Sequence, residues 1–389
     1  GSPPLFEYYL AFVMRFFGDT EPLLHLSMVT FSIIVCVCMY LLGKRFTARP
    51  LSCVFLTIFT PAYLVMAHTI MLDIPALSLY LASMTFFIYG FDNDNDLLLV
   101  CSGVFCGLAS LVKYNTLILV PFLIIYVLLE RGKLDKRILY LLIGIVIFLS
   151  YNYYTSLIYQ NSHFSKAINL ILSSRSLLRI SLYFIALNSY IGGATIFSPC
   201  LIFVTFFLAK KSLGYYLTLI ISFSVGFFVK YRLAFNIGAS LMLSIFIFAS
   251  LSFLYIIFRE GILRYSLKNK LARDNLFLFF WIIGVIGFHI LTVFVAVRFI
   301  LLLIPPLVIL FYRLLENKLA SRLILIRSIS IIAILSTCIL GFLVSWSDSL
   351  YANVYRDFSY QTPAFFKTKE NNIWYAGHWG YQFYMDKQK

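Results

Sequence analysis

Charged side chains are scarce in this chain. Only 12% of its 389 residues are Asp, Glu, Lys or Arg, whereas 61% are hydrophobic. An average soluble domain carries about twice that share of charge. Acids are the scarcer sign, with 16 Asp and Glu against 31 Lys and Arg. This composition excludes a water-soluble globular domain and predicts a polytopic membrane protein.

Other patterns are lacking too. The net charge is +15, but the cations fall between apolar runs rather than along one polar face, which argues against a nucleic-acid partner. The seven cysteines lie inside apolar runs and show no zinc or disulfide spacing, so we interpret them as small buried hydrophobes. No internal repeat and no low-complexity segment stands out.

Apolar runs of spanning length predict an all-α bundle of about twelve transmembrane helices. They lie at about 22–42, 50–67, 74–90, 97–112, 115–129, 138–158, 183–208, 213–229, 233–258, 276–297, 299–315 and 325–346. Pro305-Pro306 is expected to kink its span. We therefore predict three regions: an interfacial helix in an outer loop (1–21), the transmembrane domain (22–346) and the start of an extracytoplasmic C-terminal domain (347–389).

Lys and Arg in the loops set the expected orientation. If residue 22 is outside, the cation-rich loops at about 44–49, 131–137 and 259–273 are all inside. Counting 97–129 as two spans keeps the loop at 131–137 on that side. The connection before Asp73 and the tail after residue 346 then lie outside.

Asp73 stands out between two long apolar runs. An ionisable group at the membrane surface is costly enough to be a functional candidate. The alternative is a solvated loop Asp that caps the next helix, with Pro75 in its first turn. His68 precedes Asp73 by five residues and is a further candidate, although a lone loop His is more often simply solvated.

Several cations on the expected outer side oppose the sidedness rule. Lys113, Lys230, Arg232 and Arg298 lie in three outer connections. They could converge on an anionic headgroup, because Lys and Arg are the usual partners of phosphate. The alternative for each is snorkelling, in which the stem stays in lipid and the charge reaches water.

Four separate stretches form a recognisable set: Pro3-Pro4-Leu5-Phe6, Met71-Leu72-Asp73-Ile74-Pro75, Gly107-Leu108-Ala109-Ser110-Leu111-Val112-Lys113-Tyr114 and Val297-Arg298-Phe299-Ile300-Leu301-Leu302-Leu303-Ile304-Pro305. In this order they resemble one family of membrane glycosyltransferases, the protein O-mannosyltransferase and lipid A aminoarabinose transferase type, which has the C-type glycosyltransferase fold. The resemblance implies an enzyme of the cell inner or plasma membrane whose active site is extracytoplasmic. It implies a polyprenyl-phosphate-linked sugar as donor and a hydroxyl of a protein, lipid or glycan as acceptor.

By this resemblance, Asp73 matches an acidic position of the second outer loop. Lys113 and Arg298 match basic positions expected near the donor phosphate, and Tyr114, which follows Lys113 in the same motif, is a further candidate for contact with the substrate. In the tail, His378 lies in family-like sequence and is a candidate for contact with the acceptor.

The chain departs from the family at its beginning. The family's principal acid lies upstream of the Pro-Pro-Leu motif and after a first span, so the resemblance predicts that this span and acid precede Gly1 in a longer enzyme. Glu7 is a candidate base within the chain, although its position does not match the motif. No metal site is predicted; a divalent cation near Asp73 is conceivable, but one carboxylate supplies too few ligands.

The main alternative is a lipid or glycan transporter without transferase activity. A transporter is expected to show ionisable residues deep within its spans, broken helices and internal repeats. In this sequence nearly all charges lie at span ends, which favours the enzyme. A structural membrane scaffold is a third hypothesis, and it predicts that loss of Asp73 and Arg298 leaves function intact.

Overall fold

The computed structural model of the chain describes residues 3–159, 164–165, 169, 177–209, 212–262, 269–292, 294–366 and 380–386. Every regular element in these ranges is helical. The α-helices are α1 (Leu5–Phe17), α2 (Glu21–Phe46), α3 (Pro50–Ile58), α4 (Pro61–Ala67), α5 (Asp73–Asp92), α6 (Asp96–Val112), α7 (Leu119–Arg131), α8 (Leu141–Tyr159), α9 (Leu177–Ala194), α10 (Ser198–Ala209), α11 (Leu213–Leu233), α12 (Ile237–Ile256), α13 (Lys270–Ile290), α14 (Ile304–Lys318), α15 (Leu323–Phe366) and α16 (Gly380–Asp386). Short 3-10 helices at Tyr114–Ile118, Lys136–Tyr140 and Val297–Leu303 lead into α7, α8 and α14, and a π-helical turn at Ile257–Ile262 follows α12.

The predicted all-α polytopic membrane architecture is confirmed. In the described ranges, nine helical segments are long and apolar enough to cross a membrane, and two bent helix pairs bring the number to as many as eleven. The 17-residue helix Asp96–Val112 is apolar but shorter. Each of these segments overlaps one of the predicted apolar runs.

The two bends fall where proline follows a short break. The pair α3–α4 bends by 66° before Pro61, and the pair α9–α10 bends by 97° close to Pro199. A proline disfavours helical conformation in the residue before it, so a helix tends to end there. The run predicted as one span at 183–208 is therefore two helices that meet nearly at a right angle.

Two spans form the centre of the bundle. In Val297–Lys318, 94% of an apolar stretch of 18 residues is buried inside the protein, and in Asp73–Asp92 the corresponding share is 83%. For Leu213–Arg232 it is only 22%. Helices at the periphery turn apolar side chains outward to lipid, whereas central helices bury every face. The chain thus surrounds the two spans that carry Asp73 and Arg298.

Pro305 and Pro306 do not kink a continuous α-helix as predicted. A 3-10 helix ends at Leu303, and α14 begins at Ile304 with both prolines in its first turn. The first amides of a helix have no intrahelical acceptor, so proline costs little there. The span is thus a 3-10 segment followed by an α-helix.

Close contact between helices is made at small residues. A Cβ on Gly341 of α15 would lie 2.4 Å from the carbonyl oxygen of Phe59, at the elbow between α3 and α4. Small residues let helix backbones approach closely in membranes, where packing drives association. Gly341 therefore allows α15 to approach the bent pair.

The two ends of the chain also carry helices. In α1, Phe6 and Val13 are buried and Phe12, Phe16 and Phe17 are exposed, as a helix lying at an interface would be. At the other end, α15 is 44 residues long and continues without a break past residue 347. The predicted division of the chain at 346 and 347, and the separate C-terminal domain, remain predictions.

Candidate functional site

Three charged side chains from separate elements line one small pocket, which we call the Asp73 pocket. Asp73 is the first residue of α5, Lys113 follows the last residue of α6, and Arg298 lies in the 3-10 helix before α14. The pocket is small and open on one side, with a cavity volume of about 10 Å³. Its lining comprises Asp73, Ala76, Lys113, Asn115, Arg298, Phe299, Leu301 and Leu302.

Asp73 and Lys113 form an ion pair with 2.6 Å between the carboxylate Oδ1 and the ammonium Nζ. The Asp73 side chain is 3% exposed and that of Lys113 is 19% exposed. Asp73 is therefore not the solvated capping residue of the alternative interpretation. A buried carboxylate is stable only with a partner of opposite charge, and Lys113 is that partner.

Burial also affects the lysine. It lowers the pKa of the Lys113 ammonium below the ordinary lysine value of 10.5, and the positive charge of Arg298 acts in the same direction. The Asp73 carboxylate opposes this shift through its charge and its hydrogen bond. Desolvation disfavours a charged group whatever its sign, so the lysine loses its proton more readily than a lysine in water.

The Phe299 ring holds the two cations at the pocket wall. Lys113 Nζ lies 4.7 Å from the ring centroid, and the Arg298 guanidinium carbon lies 5.8 Å from it. Both distances allow a cation–π attraction. The His289 imidazole of α13 stacks on the same ring, with 5.0 Å between centroids and 11° between planes. Sequence reasoning placed Phe299 in a motif but gave it no role, and it did not single out His289.

Arg298 has weaker partners than Lys113. Its Nη1 contacts the sulfur of Met71 at 3.3 Å, and its Nε is buried without a hydrogen-bond partner. In the described part of the chain no carboxylate pairs with it. The pocket thus holds two cations and one carboxylate, and the surplus positive charge favours an anionic ligand.

Tyr114 and Asn115 follow Lys113 in the chain, and each has a buried polar atom without a partner. Asn115 lines the Asp73 pocket, and its Oδ1 is buried without a hydrogen-bond partner. The Tyr114 hydroxyl is likewise buried and unpartnered, but its ring packs against Phe148 and Phe164 at 5.9 and 5.6 Å, and it is not part of the lining. The motif predicted Tyr114 as a substrate contact, whereas Asn115 was passed over.

The remaining candidates do not line the pocket. His68 contacts α15: its Nδ1 lies 3.0 Å from Ser345 Oγ, and its Nε2 lies 3.5 Å from Asp348 Oδ2. Glu7 is exposed on α1, and Arg232 is exposed in the last turn of α11. His378 falls outside the described residues.

The pocket offers no ready metal centre. Where the structure describes the chain, no three His, Cys, Asp or Glu side chains are grouped in a way that could hold an ion. Asp73 is the one carboxylate in the lining, and its Oδ1 is occupied by Lys113. The donor set does not fit a divalent cation, which prefers several oxygen ligands.

A second charged cluster lies at the opposite end of the bundle, and sequence analysis missed it. We call Arg45, Asp92, Tyr126, Glu130, Asp274 and Arg313 the Arg45 cluster; it joins α2, α5, α7, α13 and α14. Arg45 donates to the Asp92 carboxylate and to the Tyr126 hydroxyl, the latter at 3.1 Å. It also lies 3.3 Å from Asp274 and 3.7 Å from Glu130.

Arg313 closes this cluster from α14. It donates to Asn275 Oδ1 at 2.6 Å and to the carbonyl oxygen of Phe46, at the end of α2, at 2.5 Å. Its Nη1 lies 3.5 Å from Asp274. Buried charges need both pairing and hydrogen bonds, and this arrangement supplies both. We interpret the Arg45 cluster as a tie between five helices.

Comparison with known proteins bears on the first part of the chain. Residues 1–154 match the family of dolichyl-phosphate-mannose-protein mannosyltransferases. The resemblance drawn from the sequence motifs is thereby confirmed over these residues, which include Asp73 and Lys113 but not Arg298. No curated protein and no solved structure matches the chain.

Proposed function

We propose that this chain is a membrane glycosyltransferase that takes its sugar from a polyprenyl-phosphate-linked donor, and that the Asp73 pocket binds the donor phosphate. The single observation that carries the proposal is the convergence of Lys113 and Arg298, from two separate elements, on a pocket with one carboxylate. The match of residues 1–154 to mannosyltransferases that use a dolichyl-phosphate sugar supports the same donor class.

The location of the pocket suits a lipid phosphate. Asp73 and Lys113 lie at the ends of their apolar helices, and we infer that this end of the bundle lies where lipid headgroups meet the hydrocarbon. Lys and Arg bind phosphate oxygens through charge-assisted hydrogen bonds. The polyprenyl tail of such a donor can remain in the lipid, so only the headgroup has to enter the protein.

The proposed reaction begins with attack of an acceptor hydroxyl oxygen on the anomeric carbon of the sugar. The bond from that carbon to the phosphate oxygen breaks, and polyprenyl phosphate leaves with the electron pair. Lys113 and Arg298 then stabilise the added negative charge. Cations fixed in a largely dry site can stabilise developing charge by several kcal/mol.

A carboxylate must receive the proton of the acceptor hydroxyl. Asp73 is the proposed base in the pocket, with Glu7 the alternative that the sequence offers. While Asp73 is paired with Lys113, its Oδ1 accepts a hydrogen bond from the ammonium and faces away from the acceptor proton. We propose that the donor phosphate competes with Asp73 for the ammonium, so that donor binding prepares the carboxylate for the proton. We place the pocket on the extracytoplasmic side because of the predicted loop charges.

Binding of polyprenyl phosphate to the purified chain tests the proposal, with the neutral polyprenol of equal length as the comparison ligand. We expect the wild type to prefer the phosphate by at least roughly tenfold, as befits a charge-assisted contact. Arg298→Ala should lose most of this preference. Arg15→Ala removes the same charge from the exposed face of α1 and should keep it.

No preference in the wild type, or an equal loss in both variants, would overturn the phosphate site. Turnover with a sugar-loaded lipid then separates the enzyme from a transporter. Asp73→Asn in the full-length protein should cut that turnover severely while the protein is still produced in its folded form. A wild-type rate in this variant would remove Asp73 from the proposed mechanism.

A further inference from the structure

The Asp73 pocket contains polar atoms that a phosphate group does not satisfy. The Asn115 Oδ1 and the Arg298 Nε are both buried and lack a hydrogen-bond partner. A buried polar atom without a partner costs free energy, and such atoms in a native protein call for an explanation. Both residues line the same pocket, so one bound ligand can supply both partners.

The position of Asn115 is fixed relative to Lys113. The chain leaves α6 at Lys113 in an extended conformation and turns at once into the 3-10 helix that begins at Tyr114. The Lys113 carbonyl oxygen accepts hydrogen bonds from the Thr116 backbone N–H at 3.1 Å and from the Thr116 hydroxyl at 2.9 Å. Asn115 lies within this hydrogen-bonded turn. The Asn115 amide and the Lys113 ammonium therefore reach the pocket from the same short segment.

The two unpartnered atoms have opposite hydrogen-bonding character. An amide oxygen only accepts, and a guanidinium N–H only donates. Phosphate oxygens can accept from Arg298 Nε but, when ionised, have no proton to give to Asn115 Oδ1. A hydroxyl both donates and accepts. The pocket therefore matches a ligand that carries hydroxyl groups next to its anionic group.

We propose that Asn115 binds a hydroxyl of the sugar attached to the donor phosphate, so that the pocket recognises the sugar as well as the phosphate. This inference rests on the proposed function. In a glycosyl phosphate the ring hydroxyls lie within a few bonds of the phosphate oxygen, and a group beside Lys113 is therefore well placed to meet one. Asn115 then distinguishes the loaded donor from the bare lipid phosphate that leaves after transfer.

The chain offers a matched control for Asn115. Asn152 of α8 also has a buried Oδ1 without a partner, and its Nδ2 donates to the Phe148 carbonyl oxygen at 2.9 Å. It is not part of the pocket lining. Asn152→Leu therefore makes the same chemical change, at a buried amide, away from the pocket.

The experiment compares two ligands, polyprenyl phosphate and polyprenyl-phosphate mannose, on the whole chain in detergent. For the wild type we expect tighter binding of the loaded lipid. Asn115→Leu should weaken binding of polyprenyl-phosphate mannose by roughly five- to tenfold, the size expected for one neutral hydrogen bond, and leave binding of polyprenyl phosphate nearly unchanged. Asn152→Leu should leave the ratio of the two affinities as it is in the wild type.

A second variant guards against misfolding of the first. Asn115→Asp keeps the accepting oxygen but adds a negative charge beside the phosphate, so both affinities should fall while their ratio stays near that of the wild type. An Asn115→Leu ratio equal to the wild-type ratio would overturn the sugar contact while leaving the phosphate site intact. Failure of the wild type to bind either lipid would instead contradict the proposed function.

Discussion

The ammonium of Lys113 lies 2.6 Å from the carboxylate of Asp73, a residue 40 positions earlier in the chain. This contact joins the end of α6 to the beginning of α5. Because Asp73 is nearly inaccessible and Lys113 is partly exposed, the two partners are not equivalent. The carboxylate depends on the lysine, whereas part of the lysine side chain is accessible from outside the protein.

The asymmetry of this pair predicts the outcome of a double-mutant cycle. Lys113→Met leaves a buried carboxylate without a partner and should lower the free energy of unfolding by about 3 kcal/mol or more. Asp73→Asn should cost less, because the remaining charge is nearer to water. The double variant Asp73→Asn/Lys113→Met should recover much of the loss, and unfolding followed by fluorescence in detergent measures all three. Simple additivity of the two single effects would show that the pair contributes no coupling energy.

The lowered pKa of Lys113 predicts how binding of polyprenyl phosphate depends on pH. The phosphate needs the charged ammonium, so affinity should fall as the pH rises through the pKa of Lys113, which lies below the ordinary value of 10.5. Lys113→Arg should keep its affinity to higher pH, because a guanidinium stays protonated. Dissociation constants measured between neutral pH and about pH 10 test this, and parallel curves for the two proteins would contradict it.

The affinity for polyprenyl phosphate should fall with pH, but the contribution of Lys113 to the free energy of unfolding should rise. A lysine whose pKa is lowered by folding releases its proton earlier in the folded state than in the unfolded state. The unfolded state then holds more protons between the two values, so this group's contribution to the free energy of unfolding rises with pH in that interval. A fall in affinity together with that rise would separate titration of Lys113 from alkaline unfolding.

Arg313 predicts a defect of stability rather than of ligand binding. Its guanidinium is 5% exposed and donates to Asn275 and to the Phe46 carbonyl oxygen. Arg313→Met removes a buried donor from both acceptors and a partner from Asp274, and should cost about 3–5 kcal/mol. Arg322→Met, at an exposed position shortly after the same helix, should cost under about 0.5 kcal/mol. Below its unfolding temperature the Arg313 variant should still bind polyprenyl phosphate, and a selective loss of that binding would assign the Arg45 cluster a further role.

Gly341 predicts a steric effect on the contact between α15 and the elbow of α3 and α4. Gly341→Ala brings a Cβ to 2.4 Å from the Phe59 carbonyl oxygen, so backbone must move. Overpacking of this kind costs about 1–3 kcal/mol. Gly287→Ala in α13 is the control, because no atom lies within 4 Å of its added Cβ and alanine favours helix. Equal unfolding temperatures for the two variants would contradict the close packing at Gly341.

Much of the architecture could be predicted from the sequence because a bilayer leaves few choices. Backbone polar groups must be satisfied within each span, so an apolar run of sufficient length is a helix. The bend at 195–197 was not predicted, because the helices on both sides of it are apolar. Hydropathy shows how apolar a stretch is but not whether its helix changes direction. The continuation of α15 beyond 346 was missed for a related reason: residues there turn polar while the helix persists.

The Asp73 pocket could be predicted in part from the sequence, whereas the Arg45 cluster could not. Asp73, Lys113 and Arg298 were singled out because each opposes an expectation for its place in the chain, and the structure brings all three to one pocket. Arg45 and Arg313 looked like ordinary cations at the ends of apolar runs. Their burial depends on which helices are neighbours, and periodicity carries no information about that. Asn115 showed no signal in sequence, because its significance lies in an oxygen atom without a partner.

Helix α15 is longer than a single crossing of a bilayer requires. At about 1.5 Å per residue its 44 residues span roughly 66 Å, about twice the thickness of the hydrocarbon of a bilayer. His68, which ends α4 a few residues before Asp73, touches this helix at Ser345. The His68–Ser345 contact therefore links the position of α15 to that of the connection before Asp73. A substitution that shifts α15 at Ser345 is expected to alter the pocket although Ser345 does not line it.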